Sequence, residues 1–323
     1  MKNTRIKIPM QAYEPRKIFV RPQKNRGFTL VELLVGLVLS LFIIGVSLTY
    51  FVSSSQTFRV QTSDSIVQEN ARFALEIVTQ NLRLAGLNPN NDASLAQTLG
   101  TGFDALSSFC TADESGLDDG DTGSTRCTVD AVGANASDRI AVTYILEAED
   151  NDLDVRGCNN QAINIPVGNR ARLANVLWSA PSITNAGNGA RSLYCQTYDL
   201  DTNQALGVAL PLVDGIDSIQ FQYGVDILEA DGSPSVDIDG DGLIDGDGLI
   251  DVYRSINNVA NLSTIKAVRV ALLVNSGLGT DTDSNTEANE SRTFNLLDAP
   301  AITLEDRKLR QIYTTTVLIP NTI

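Results

Sequence analysis

Apolar residues along this chain follow two regimes near its start. From Phe28 to Val52 they run almost unbroken, with Glu32 the one charged residue and no proline. A run of that length spans a hydrocarbon core as a single helix, the geometry that satisfies every backbone polar group internally. Beyond it the pattern takes the helical period. Ile66, Val67, Asn70, Phe73, Ala74, Ile77, Val78, Asn81, Leu84 and Ala85 recur at spacings of three and four, while Asp64, Gln68, Arg72, Thr79 and Arg83 fall mainly on the other side. No proline occurs between Pro22 and Pro89, and Gly86 followed by Asn88-Pro89 is a stop signal. These patterns predict one helix from Phe28 to about Ala85, roughly 85–90 Å long at 1.5 Å per residue. A membrane takes only the first part, so the striped second half is expected to pack on the protein's own globular domain.

After residue 90, short apolar runs alternate with stretches rich in Gly, Asn, Asp and Ser. The clearest strands are Ile140–Leu146, Ile219–Val225, Ala267–Val274 and Ile312–Leu318. Ile219, Phe221, Tyr223 and Val225 alternate with polar or small residues, as a half-buried antiparallel strand requires. Segments 111–136, 147–165 and 226–251 read as long surface loops heavy in acid and glycine. The expected fold class is α+β, with one long N-terminal helix packed on an antiparallel β-sheet. The expected divisions are a basic leader 1–27, a transmembrane half-helix 28–53, an amphipathic half-helix 54–86 and a β-rich globular domain 87–323. That domain, roughly 230 residues, can bury a sizeable core.

Charge adds a direction. The first 27 residues hold eight Lys and Arg against one Glu, so the net charge of −15 becomes −22 once they are set aside. Basic residues ahead of an apolar helix hold that end in the cytoplasm, which places the acidic remainder on the far side. An acidic domain repels phosphate, so nucleic acid is not expected as a partner. The chain has no histidine, hence no Ser-His-Asp or Cys-His arrangement, and no enzymatic activity is expected. Cys110, Cys127, Cys158 and Cys195 are an even set in a segment placed in an oxidising compartment, which suits disulfides. Three pairings are possible; Cys110–Cys127 with Cys158–Cys195 closes the shorter loops and is the one expected.

Residues 237–251 contain the unit Asp-Gly-Asp-Gly-Leu-Ile twice, offset by six. Asp237, Asp239, Asp241 and Asp245 fit positions 1, 3, 5 and 9 of a calcium loop, with Gly242 at the sharp turn of position 6. Carboxylates packed this closely repel one another without a cation, and calcium tolerates the crowded geometry. Gly248 stands where an EF-hand has its bidentate Glu, leaving Asp247 or Asp251 to substitute. No helical pattern flanks the segment, so an isolated calcium loop is expected, with a solvated acidic loop as its plain alternative.

The junction Arg26-Gly27-Phe28-Thr29-Leu30-Val31-Glu32 stands between the basic and apolar stretches. In a secretory signal the apolar region precedes the cleavage site and is discarded; here a cut after Gly27 would leave the apolar helix at the new N-terminus. That order resembles a class III prepilin signal, and the stretch Gln68–Gly86 resembles the corresponding helix of the PilW family of minor type IV pilins. Val268–Ser276 and Tyr313–Leu318 are similar to the family's late strands. The resemblance is dense over 27–86, thin in the middle and moderate over 264–323. It implies cleavage after Gly27 by a prepilin peptidase, methylation of the Phe28 amine, and a role for Glu32 as the intramembrane carboxylate that meets an N-terminal amine during filament entry. A lone carboxylate in hydrocarbon is costly and asks for such a partner.

The implied function is assembly with other minor pilins and the major pilin into a pilus priming or tip complex, with a large tip adhesin as a further partner. The implied location is the inner membrane, as a single pass with the domain in the periplasm, and then the surface pilus. Two other readings stay open at this point: the large minor pseudopilin of a type II secretion system, and a pilus-borne calcium-dependent adhesin subunit.

Overall fold

The computed structural model describes residues 27–88, 127–131, 137–147, 155–166, 168–182, 190–202, 204–227, 249–259, 261–276, 291–304 and 308–321. The chain divides into two compact units, Met1–Gln56 and Thr57–Ile323. A single helix, α1 (Leu30–Arg83), supplies residues to both. In the first unit its described side chains are almost all exposed, although the sequence there is the most apolar in the chain. The hydroxyls of Ser40 and Ser47 donate to the carbonyls of Leu37 and Ile43, each at 2.8 Å, which hides them from an apolar surrounding.

In the second unit the strands form two four-stranded antiparallel sheets and a small two-stranded one. The first sheet is a meander, β1 (Arg139–Glu147), β2 (Arg170–Pro181), β3 (Arg191–Asp199) and β4 (Gln204–Asp214), in sequential order. The second contains β5 (Ile216–Val225), β6 (Val252–Arg254), β7 (Ile265–Asn275) and β10 (Arg310–Leu318), ordered β10-β7-β5-β6. The hairpin of β8 (Arg292–Phe294) and β9 (Ile302–Leu304) covers Ala271 and Leu273 of β7 with Leu296 and Ile302. The class is α+β as expected, but the single sheet anticipated from sequence is two.

The reason for the division is Gly215. It lies between β4 and β5 with φ +78°. Its N–H donates to the Arg191 carbonyl of the first sheet at 2.9 Å, and its carbonyl accepts from Asn275 N–H of the second at 2.8 Å. The chain changes sheets there in one residue. A Cβ at this position would stand 2.7 Å from the Asn275 carbonyl oxygen, so both the conformation and the space call for glycine. The seam between the sheets is closed from β1. Ser137 Oγ accepts from Ile219 N–H at 3.0 Å, and the Asp138 carboxylate accepts from Phe221 N–H at 2.7 Å and Ala131 N–H at 3.0 Å. Burial pushes the Asp138 carboxyl well above the usual range, against the pull of those two donors.

The amphipathic half of α1 lays Val67, Ala71, Ala74, Val78 and Leu82 into a core that includes Ile140, Val142, Leu177 and Leu193 from the first sheet and Ile219, Phe221, Val270 and Leu272 from the second. Each fully buried Val or Leu there contributes roughly 1.5–3 kcal/mol relative to exposure. The buried stripe is narrower than the sequence pattern suggested. Ala71 and Leu82 are in it, whereas Phe73 is 54% exposed. The helix stops as expected: Gly86 takes φ +71°, and Asn321 Nδ2 donates to the orphan carbonyls of Arg83 and Ala85 at 3.0 and 3.2 Å. The emerging chain then pairs with β1, through Gly86 N–H to the Thr143 carbonyl at 2.9 Å and Ile145 N–H to the Leu87 carbonyl at 2.8 Å.

Replacing Gly215 by Ala adds a left-handed strain of roughly 1–3 kcal/mol and a backbone contact that must move. Gly168, at φ +75° with nothing within 4 Å of a built Cβ, carries the strain alone. Chemical denaturation is expected to show Gly215→Ala as the more destabilised of the two variants. Equal stability would mean that the corner has slack.

Candidate functional site

The junction singled out by the sequence is described from Gly27 onward. Gly27, Phe28 and Thr29 precede the helix, and Phe28 is 81% exposed. Thr29 caps the helix: its Oγ1 accepts from Glu32 N–H at 3.3 Å, and its carbonyl accepts from Leu33 N–H at 3.2 Å. Thr29-x-x-Glu32 is thus the side of a capping box in which the threonine satisfies the third amide. This role for Thr29 was legible in the Thr/Glu spacing but was missed, because the apolar run drew attention to Glu32 alone. Glu32 also sits in the first turn, where a negative charge is favoured by the helix dipole.

Two features of the junction find no cause among the described residues. A Cβ built on Gly27 meets none of them within 4 Å. The Glu32 carboxylate bonds to no described side chain; its recorded contact is through its backbone N–H. Around it Leu30, Val31, Leu33 and Leu34 are all exposed. α1 is long and apolar enough over this stretch to cross a membrane. A lone carboxylate within a hydrocarbon core is costly.

The cysteines and the aspartate repeat are elsewhere. Cys158 and Cys195 are joined by a disulfide with Cα atoms 5.9 Å apart, and Cys127 is also disulfide-bonded. Cys110 lies outside the described residues. Of the aspartates expected to hold calcium, Asp237, Asp239, Asp241, Asp245 and Asp247 lie outside the described residues too. Asp251 is described, and it ties off the end of that segment. Its N–H donates to the Val225 carbonyl at 3.0 Å, and its Oδ2 accepts from Ile227 N–H at 2.6 Å. Among the described residues no group of three or more metal-binding side chains gathers.

A capped apolar helix that continues into a helix-on-antiparallel-sheet domain, behind a basic segment and a Gly-Phe junction, is a type IV pilin-like arrangement. Residues 22–48 match the prokaryotic N-terminal methylation motif, and residues 182–321 match the family model of Type IV pilus-assembly protein W. The chain thus pairs an N-terminal methylation motif with a PilW-like region. It is 33% identical over 83 residues to pilin-like protein PilA3 of Thermus thermophilus, a stretch that spans 26% of this chain and 36% of that protein. A type IV-like pilin of Thermus thermophilus with a solved structure aligns over 59% of this chain and 82% of its own, at 10% identity and a TM-score of 0.30.

Thr29→Ala removes the cap and is expected to cost the helix start about 1 kcal/mol. Hydrogen exchange on the detergent-solubilised chain should show faster exchange confined to residues 30–33. An unchanged rate there would mean that the cap contributes nothing.

Proposed function

We propose that this chain is a minor pilin that is cleaved after Gly27, methylated on Phe28 and assembled with other minor pilins and the major pilin into a pilus priming or tip complex. The observation that carries the reading is the exposed apolar half of α1, with Glu32 exposed on it and no described side chain bonded to its carboxylate. Such a surface is stable in two settings, a bilayer and a bundle of like helices. The PilW match over 182–321 favours the second as the final one. The basic leader orients the N-terminus to the cytoplasm, and the disulfides suit a domain on the oxidising side. On this reading the partners are the prepilin peptidase, neighbouring pilins and the inner membrane. An N-terminal amine of an adjacent subunit meets Glu32.

Mass spectrometry of the membrane-extracted protein should find a mature N-terminus at Phe28 with one added methyl group. Glu32→Ala should insert at least as well as wild type yet fail to support piliation in a strain lacking the native copy. Normal piliation by that variant, or an intact residue 1, contradicts the proposal.

The aspartate repeat is proposed as a calcium loop that stiffens the domain. Support comes from the spacing of Asp237, Asp239, Asp241 and Asp245. A ligand bound to the native state alone adds RT ln(1 + [L]/Kd), about 2.7 kcal/mol at a hundredfold excess over Kd. Extracellular loops of this kind bind at roughly 10⁻⁴–10⁻³ M, so millimolar calcium should raise Tm by a smaller, measurable amount. Asp239→Ala with Asp241→Ala should abolish the rise and leave Tm in chelator unchanged. Identical wild-type melting with calcium and with chelator returns the segment to a solvated loop.

A further inference from the structure

We propose that the Cys158–Cys195 disulfide controls how firmly the C-terminal end of α1 is docked on the first sheet, through one buried line of hydrogen bonds. The line starts at the bridge. Cys158 N–H donates to Thr197 Oγ1 at 3.0 Å, and Thr197 Oγ1 donates to Asn175 Oδ1 at 2.7 Å. Asn175 Nδ2 then donates to Asn81 Oδ1 on α1 at 2.7 Å, and Asn81 Nδ2 donates to the Ile77 carbonyl at 2.8 Å. Thr197, Asn175 and Asn81 are all buried, so their polar atoms need partners within the fold, and Asn175 Oδ1 also accepts from the Tyr144 hydroxyl at 3.2 Å.

The register explains why the bridge reaches the helix. Cys195 and Thr197 are two apart on β3 and share a face, and Thr197 stands opposite Asn175 of β2. The bridge therefore seats the segment around Cys158 directly over Thr197. Its neighbour Asn159 fills the β3–β4 bulge, where Nδ2 donates to the carbonyls of Leu206 and Val208 at 2.6 and 3.0 Å. With the bridge closed, the Cys158 N–H donates to the Thr197 hydroxyl, whose own proton has Asn175 Oδ1 at 2.7 Å as its shorter acceptor and Cys158 Sγ at 3.4 Å as the longer one.

Closing the bridge removes two electrons and two protons from the Cys158 and Cys195 thiols and passes them to a disulfide oxidant, which leaves as a dithiol. Opening it runs the same exchange backwards with a dithiol reductant. Opening frees the Cys158 backbone from Thr197, releases the hydroxyl and loosens the Asn175–Asn81 contact. The domain grips its helix fully only after oxidation, which ties docking of α1 to arrival in an oxidising compartment. The opposite end of the docked helix is held independently, by Gln311 Nε2 donating to Asp64 Oδ1 at 2.7 Å.

The test is hydrogen exchange on the full-length chain in detergent micelles, comparing wild type, Cys158→Ser with Cys195→Ser, and Thr197→Val. The double serine variant leaves the bond at Cys127 untouched. Its exchange over residues 78–85 is expected to rise about tenfold, the size of one lost buried hydrogen bond, with residues 60–67 unchanged. Thr197→Val should give the same local rise with the bridge intact, and adding the two serines to it should give no further rise. Unchanged exchange over 78–85 in the serine variant overturns the proposal, as does an equal rise over 60–67 or an additive triple variant. If the serine variant does not fold, Thr197→Val decides alone: wild-type protection over 78–85 in that variant overturns it.

Discussion

Val67, Ala71, Ala74, Val78 and Leu82 form one strip on α1, and the domain's core is built against it. Each sheet has an apolar face of its own, but neither face is closed by the other alone: the shared core needs the helix as its third wall. The alanines set the geometry. With two positions of the strip, Ala71 and Ala74, carrying a single methyl group, the helix backbone lies close enough for the longer side chains of both sheets to pack around it. A bulkier residue at Ala74 would have to displace strands on both sides, where overpacking typically costs 1–3 kcal/mol.

Polar contacts then specify where along the strip the helix sits. Asn81 meets Asn175 at one end, and Asp64 meets Gln311 at the other. In the second sheet Asp217 accepts from Asn275 at 2.6 Å and from Arg310 at 2.5 Å, and this ion pair spans three strands while its side chains stay nearly buried. A buried pair of this kind contributes little net stability against an apolar replacement, but losing one partner costs about 3–5 kcal/mol. Its value here is register, since a slip of β10 by one residue would leave both charges uncompensated. The sheet edges are unequal in the same sense. β1 is covered by the chain leaving α1, β4 is bulged and plugged by Asn159, and β6 is three residues long. β10 presents nine residues, with no charged side chain between Gln311 and Leu318.

Much of this was legible from sequence. The helix limits, the stop at Gly86 and the four strands with clear apolar runs were found within two or three residues. β2, β3 and β4 were not. The first sheet buries polar groups on both faces, Thr143 and Gln196 on one and Asn175 and Thr197 on the other, so alternation of apolar and polar residues fails as a signal there. β4 contains Gly207 and Pro211, which read as breakers, yet both lie beside register shifts on an edge strand, where such residues are tolerated. Phe73 was placed in the buried stripe by its hydrophobicity, but close approach of the helix selected the smaller Ala71 and Ala74. At the N-terminus the sequence pointed to Gly27, Phe28 and Glu32. What it did not give was that, among the described residues, nothing lies within 4 Å of a Cβ built on Gly27 and no side chain bonds to the Glu32 carboxylate.

The second half of α1 closes the core of its own domain, and its first half is apolar, exposed and long enough to cross a membrane. The most direct measurement is the composition of pili sheared from cells that carry the chain. The account predicts the mature chain in the sheared fraction, at far lower abundance than the major pilin and together with other minor pilins. Its absence from pili of cells that hold it in the membrane would contradict the account.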